Sequence, residues 1–343
     1  MRDEVQGLCF NPPNSASTTM PESAKPKTQP RKLSEPKSTA IRPSVANRLF
    51  EESLAIERED AFKAGMAGFM GRALVQATLP YREPDRNLPV WGRASGDMSL
   101  IIKPGYYHEQ KTNQLESMGY PYGTIPRLLL AWLGTEAVRT KERQLVLGKS
   151  LSAFMDALGI SSHTGGKNGS ITRVREMMKR LFASDMAIVQ GGGSAPGADF
   201  ATRKFSIADE TALWWDPQAP DQAGLWQSTV TLSEKFFKEI LESPVPIDLR
   251  ALKALRQSPM AIDLYCWLTY RYFSLRAPTT VPWEALKLQF GSGASEDKKF
   301  RETVRRALLQ VLEVYPAANV DPTKAGLHLV PSKTSVPRLI KAA

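Results

Sequence analysis

Sulfur and imidazole are scarce in this chain, which has two cysteines and three histidines in 343 residues. Cys9 lies in a polar leader and Cys266 in an apolar run, so neither a disulfide framework nor a zinc-binding cysteine cluster can be assembled. His108, His163 and His328 are too scattered for a paired-histidine metal site, and no H-E-x-x-H motif exists. No metal or other cofactor is therefore expected. Apolar runs are also short: none approaches the ~18 residues of a membrane-spanning helix, and Asn, Pro, Ser and Thr follow Phe10 too soon for a secretory core. These absences predict a protein of the reducing cytoplasm with no membrane partner.

Phosphate-loop and nicking chemistry are missing too. GGK at 165–167 has Ser161 where the leading Gly belongs and Asn168 in place of the hydroxyl, and GKS at 148–150 has Arg143 at its leading position. GGGSAPG at 191–197 leads into a strand, so no helix N-terminus stands behind it to hold a pyrophosphate. A nicking site needs paired histidines near a nucleophilic tyrosine, whereas Tyr106 and Tyr107 have only His108 beside them. The acidic pairs Glu51–Glu52, Glu59–Asp60 and Asp209–Glu210 read as solvated surface. No catalytic residue is assigned, and no enzymatic activity is expected.

What the chain does have is basic residues: 45 Lys+Arg against 35 Asp+Glu, a formal charge of +10. Residues 1–48 carry seven prolines and eight Lys/Arg against four Asp/Glu, with almost no apolar periodicity. Such a segment cannot offset its ordering entropy and is expected to be a disordered basic tail. A helical pattern runs from about Arg48 through Leu54, Phe62, Met66, Phe69, Met70 and Leu74, and Ser99–Lys103 reads as a strand within a pair spanning Leu88 to about Tyr107.

From Gly123 to Ile207 the predicted order is helix (Ile125–Val138), short strand (Leu145–Leu147), helix capped by Ser150, polar turn, helix capped by Ser170 and running to Phe182, strand (186–190), glycine loop, strand (200–207). That is the order of a winged helix-turn-helix domain, whose third helix enters the major groove. The order repeats downstream: a helix opened by Ser258 and Pro259, a strand near Thr280, a helix from Pro282 to Gly291, a helix over Asp297–Glu313, a strand over 317–320 and a last strand over Leu327–Val330. The expected fold class is α+β, with two tandem winged helix-turn-helix domains over 49–225 and 226–343. An irregular helical bundle is the alternative.

At ~100° per residue, Ile171, Val174, Met177, Met178, Leu181 and Phe182 form one apolar arc of the third helix. The opposite arc carries Thr172, Arg173, Arg175, Glu176, Lys179 and Arg180. In the second copy Phe300, Val304, Ala307, Leu308 and Val311 make the apolar stripe, and Lys298, Lys299, Arg301, Arg305 and Arg306 face away with Glu302. Either face alone could be ordinary solvated surface, but its recurrence on two third helices points to duplex DNA, where Lys and Arg release counterions and Arg can grip guanine. Arg173 and Arg301, nearest the helix N-termini, are the candidates for base reading; the other cations would hold phosphates. Replacing Arg180 is thus expected to lower the salt slope by about one. Lys167, Asn168 and Ser170 could bind phosphate at the helix N-terminus, and Arg203 and Lys204 follow the glycine loop, where a wing would meet the backbone.

The run Gly119–Gly159 resembles the plasmid-encoded RepA replication-initiator family. The similarity lies in PYG at 121–123, PRLLLAWL at 126–133, TEAVRT at 135–140 and LGKSLSAFMDALG at 147–159, continued by ITRVREMMKRLF, and it is read over about Leu54–Val330. The resemblance implies a bacterial initiator that binds repeated sites in double-stranded plasmid origin DNA, with host replication proteins, a helicase or a host initiator, supplying the enzymes. Initiators with two winged-helix units can bind origins as monomers and repress their own promoters as dimers, which makes a homodimer a candidate state here by extrapolation. The rivals are a winged-helix transcriptional repressor without an origin role, a nicking nuclease or primase, and a protein-interaction adaptor.

Overall fold

The computed structural model describes residues 43–191, 201–215, 220–221, 227–291 and 296–337. The tail expected over 1–48 lies outside the described residues up to position 42, as does the GGGSAPG loop after Gly191. Helix α1 (Pro43–Arg58) starts before Arg48. Beyond it the chain departs from the helical pattern: the apolar residues around Met66–Leu74 build strand β1 (Ala67–Gly71) and the short helix α2 (Arg72–Gln76). The cause is tertiary. A Cβ at Gly68 would sit 2.5 Å from Leu249 Cδ2, the Phe69 amide donates to Thr135 Oγ1 at 3.0 Å, and β1 pairs with a strand far along the chain. Partners so remote leave no trace in local periodicity.

The next elements are strands β2 (Trp91–Ser95), β3 (Met98–Lys103), β4 (Tyr106–Glu109) and β5 (Gln114–Ser117), then helix α3 (Thr124–Thr140), strand β6 (Gln144–Val146) and helices α4 (Leu151–Ala157) and α5 (Ser170–Phe182). Strands β7 (Asp185–Gln190), β8 (Ala201–Ser206), β9 (Ala208–Ala212) and β10 (Thr229–Leu232) lead to helix α6 (Glu234–Glu242), strand β11 (Pro244–Asp248) and helices α7 (Leu249–Leu255) and α8 (Pro259–Ser274). The chain continues with strand β12 (Thr279–Pro282), helices α9 (Trp283–Phe290) and α10 (Asp297–Val314), and strands β13 (Val320–Pro322) and β14 (Gly326–Leu329). Ser150, Ser233 and Ser258 cap α4, α6 and α8, each accepting from the amide three residues on at 3.2 Å.

The fold is mixed, with helices packed on small antiparallel sheets ordered β1–β11, β6–β10–β9, β2–β3–β7–β8, β12–β14–β13 and β4–β5. The later half follows the expected order, with β12 and β13 flanking β14; its penultimate strand lies at 320–322 rather than 317–320. The earlier half has its helices in the expected order but different strand partners. Strand β6 does not join β7 and β8: it pairs with β10, Leu145 opposite Val230, while β7 and β8 extend the sheet begun by β2 and β3.

Segments on either side of residue 226 share their packing. β10 pairs with β6, β11 with β1, and α6 packs on α3. One continuous apolar cluster runs from Leu49 to Leu329. At its centre Arg127 of α3, 1% exposed, meets Asp263 of α8 in a two-pronged ion pair, Nε to Oδ1 and Nη2 to Oδ2, both 2.7 Å. The remaining guanidinium hydrogens reach the carbonyls of Leu79 (2.7 Å), Gly123 (2.6 Å) and Pro80 (3.2 Å). Burial opposes charge on Arg127, but Asp263 outweighs it and holds the guanidinium's pKa above its ordinary value.

Candidate nucleic-acid interface

Helix α5 is strongly two-sided: Ile171, Val174, Met178 and Leu181 are buried beneath it. Its N-terminus is built by a compact polar turn. Gly169, not Ser170, is the cap residue, and no side chain caps it. Ser170 is instead the first helical residue, and its hydroxyl donates to the Ser162 carbonyl and accepts from the Thr164 amide at 3.0 Å. Thr172 Oγ1 donates to Gly166 O at 2.8 Å. A Cβ at Gly169 would collide with the Thr164 carbonyl oxygen, so the turn closes only around glycine. Ser170 and Thr172 therefore build the turn, while Lys167 and Asn168 stand exposed at its tip.

Arg173 and Lys179 are exposed and Arg175 half-buried, but Arg180 corrects the helical-wheel reading: it is 4% exposed. Its Nη1 donates to Glu83 Oε1 at 2.8 Å, Gly119 lies against its guanidinium, and the Tyr122 ring is 5.6 Å away. A wheel assumes a single buried side; the last turn of α5 is covered on both, by the core below and by the 80–86 and 119–122 segments above. Arg180 is therefore engaged inside the fold and is not placed to hold a phosphate, so it carries no share of the salt slope.

On β8, Arg203 is ion-paired with Glu239 at 2.6 Å, and Glu239 also accepts from the Ala73 amide at 3.1 Å. Lys204 is exposed, its carbonyl receiving Lys235 Nζ at 3.0 Å. On α10, Lys298, Lys299, Arg305 and Arg306 are exposed and Arg301 half-buried. Arg301 and Arg305 both lie over the Trp283 ring, at 5.5 and 5.9 Å, and the indole is fixed by Nε1 donating to Thr323 O at 3.1 Å. Stacking orders these two guanidinium groups before any ligand arrives.

The two helices share a neighbour that the sequence reading passed over. Glu83 Oε1 accepts from Arg180 of α5 and from Arg86 Nε at 2.7 Å. The same loop contributes Tyr81, Arg82 and Pro84 to a groove of about 790 Å³ whose other side is Lys287, Gly291 and Asp297, at the start of α10. Burial disfavours the charged Glu83 carboxylate, but the hydrogen bonds from Arg86 and Arg180 outweigh it and hold its pKa below the ordinary glutamate value. Arg127 and Asp263 were missed as well, although each carried a signal: a charge inside an otherwise apolar stretch of helix marks a buried partner.

Among the described residues no group of three or more His, Cys, Asp or Glu could hold a metal ion, and no helix is long and apolar enough to cross a membrane. Residues 120–284 match the family described as plasmid encoded RepA protein. The match takes in the motifs from Pro121 to Gly159 and runs through α5 to the start of α9; residues 54–119 and helix α10 lie outside it. No curated protein sequence matches the chain. Two crystal structures of domains 2 and 3 of RctB are similar at 13% identity, covering 75% of this chain: one, of selenomethionine derivatives, covers 95% of its own chain with a TM-score of 0.44, and the other 94% with 0.41.

Proposed function

We propose that this chain is a plasmid replication initiator, a role its RepA match over residues 120–284 supports, and that it binds repeated duplex sites at the origin through two winged-helix units. Host replication proteins would supply helicase and primase functions, and the chain itself would catalyse nothing. The observation that carries the DNA reading is the outward cationic set on each third helix: Arg173, Arg175 and Lys179 on α5, and Lys298, Lys299, Arg305 and Arg306 on α10. Arg173, exposed one turn from the α5 N-terminus, suits a base edge; Lys179, in the last turn, suits a phosphate. The turn at Lys167 and Asn168 would sit against the adjoining backbone. Self-repression as a homodimer and a bacterial cytoplasmic setting belong to the same reading.

Fluorescence anisotropy with origin repeats and scrambled duplexes, across a salt series, tests it. Arg173→Gln is expected to lose about 1–3 kcal/mol on the repeat and to relax preference at one base position. Lys179→Gln should weaken all sequences alike and reduce the salt slope by about one. Equal binding to repeats and scrambled duplexes overturns the origin-specific reading, and nicks or covalent adducts on supercoiled plasmid with Mg²⁺ overturn the non-catalytic one.

A further inference from the structure

Arg93, on β2, is a cation the fold nearly encloses without a counter-charge. It is 7% exposed, and its Nη1 donates to Thr78 Oγ1 and to Leu79 O, the latter at 3.3 Å. The rings of Tyr81 and Trp91 lie 4.7 and 5.0 Å from its guanidinium carbon. All of these partners are neutral. The nearby carboxylate, Asp263, is engaged on both oxygens by Arg127, and among the described residues no ion pair to Arg93 forms. Burial accordingly pushes the Arg93 pKa down. Enclosing a charge in this way is costly unless an anion arrives.

The side of Arg93 left open faces the groove between the 80–86 loop and the α9–α10 corner. Arg82 stands exposed on the rim. Of the two carboxylates there, Asp297 is ion-paired with Lys287 at 2.6 Å and Glu284 is exposed at the margin. The loop itself is tethered to α5 by the Glu83–Arg180 contact at 2.8 Å, so the groove lies along the route from one third helix to the other.

We infer that this groove, with Arg93 as its floor and Arg82 on its rim, is a third nucleic-acid contact, gripping a backbone phosphate of the duplex between the stretches read by α5 and α10. The inference rests on the DNA reading above and adds to it a contact that specifies position but no base. A guanidinium with N–H groups facing a groove suits two phosphate oxygens, and neutralising one phosphate accounts for about 0.9 of salt slope.

The test uses the full chain, wild type, Arg82→Gln and Arg93→Lys, in anisotropy titrations over a salt series with hydroxyl-radical footprinting of one repeat. Arg82→Gln is expected to reduce the slope by about one and to lower affinity about fivefold near 0.15 M salt for every sequence alike. It should also remove backbone protection between the two major-groove contacts. Arg93→Lys, which keeps the charge but loses the planar fork, should retain the slope while weakening affinity. If the wild type fails to prefer repeats, the origin reading is lost. If it binds them but Arg82→Gln changes neither slope nor footprint, the groove inference alone is overturned. Inorganic phosphate heats seen by calorimetry in wild type and absent in Arg93→Lys, with an unchanged DNA footprint in Arg82→Gln, would assign the groove to a free anion and likewise overturn it.

Discussion

Asp263→Asn is the most informative single change for the framework that carries both third helices. Arg127 and Asp263 are 1% and 7% exposed and joined by two 2.7 Å hydrogen bonds, so the amide would leave a guanidinium charge inside the core with three carbonyls and no anion. Removing one partner of such a pair costs about 3–5 kcal/mol, a large share of the ~5–15 kcal/mol that holds a folded protein together. The pair itself is not expected to stabilise much, because its attraction is offset by desolvation. The double change Arg127→Met with Asp263→Leu should therefore be far milder than either single change, a coupling of several kcal/mol. Urea unfolding followed by far-ultraviolet circular dichroism and tryptophan emission compares wild type, Asp263→Asn, Arg127→Met, Asp263→Leu and the double variant. A loss under about 1 kcal/mol for Asp263→Asn, or a double variant as unstable as the two singles combined, would refute the idea that an uncompensated charge is the cost.

Three further outcomes follow from particular contacts. The depressed Glu83 carboxyl implies stability present above the ordinary glutamate pKa near 4.3 and lost as pH falls through the lower folded value; Glu83→Gln should flatten that acid limb in unfolding measured between about pH 6 and pH 3. Gly134→Ala would drive a Cβ into the Phe69 carbonyl oxygen, so it should destabilise by about 1–3 kcal/mol despite alanine's ~1 kcal/mol helical advantage, and a gain in thermal midpoint would contradict this packing. Burial pushes the Cys266 thiol up; in a Cys9→Ser background it should react with a disulfide reagent only at the rate of unfolding, and fast labelling in buffer would contradict its enclosure.

Much of the candidate interface was legible because it is local. An arc of apolar residues on a helix marks its own buried side, so Ile171, Val174, Met178 and Leu181 identify where α5 is seated, and Arg173 and Lys179 follow as the opposite side. Ser150 and Ser258 cap where a serine before an apolar period should. The misreadings share a cause in remote contacts. Met66–Leu74 has helical spacing, but Ala67–Gly71 within it becomes a strand because β11 and α3 arrive to pair with it. Arg180 has outward spacing but is roofed by Glu83 and Tyr122.

The order of helices and strands over 123–207 and 258–330, the two cationic helices and the RepA motifs belong to the sequence by itself, since each depends on residues within a few turns of one another. The choice of β10 over β7 as partner for β6, the burial of Arg127, Arg180 and Arg93, and the groove beside α10 were decided only by the tertiary structure. Strand pairing and charge burial depend on what stands on the other side, and that is set by segments dozens to hundreds of residues away.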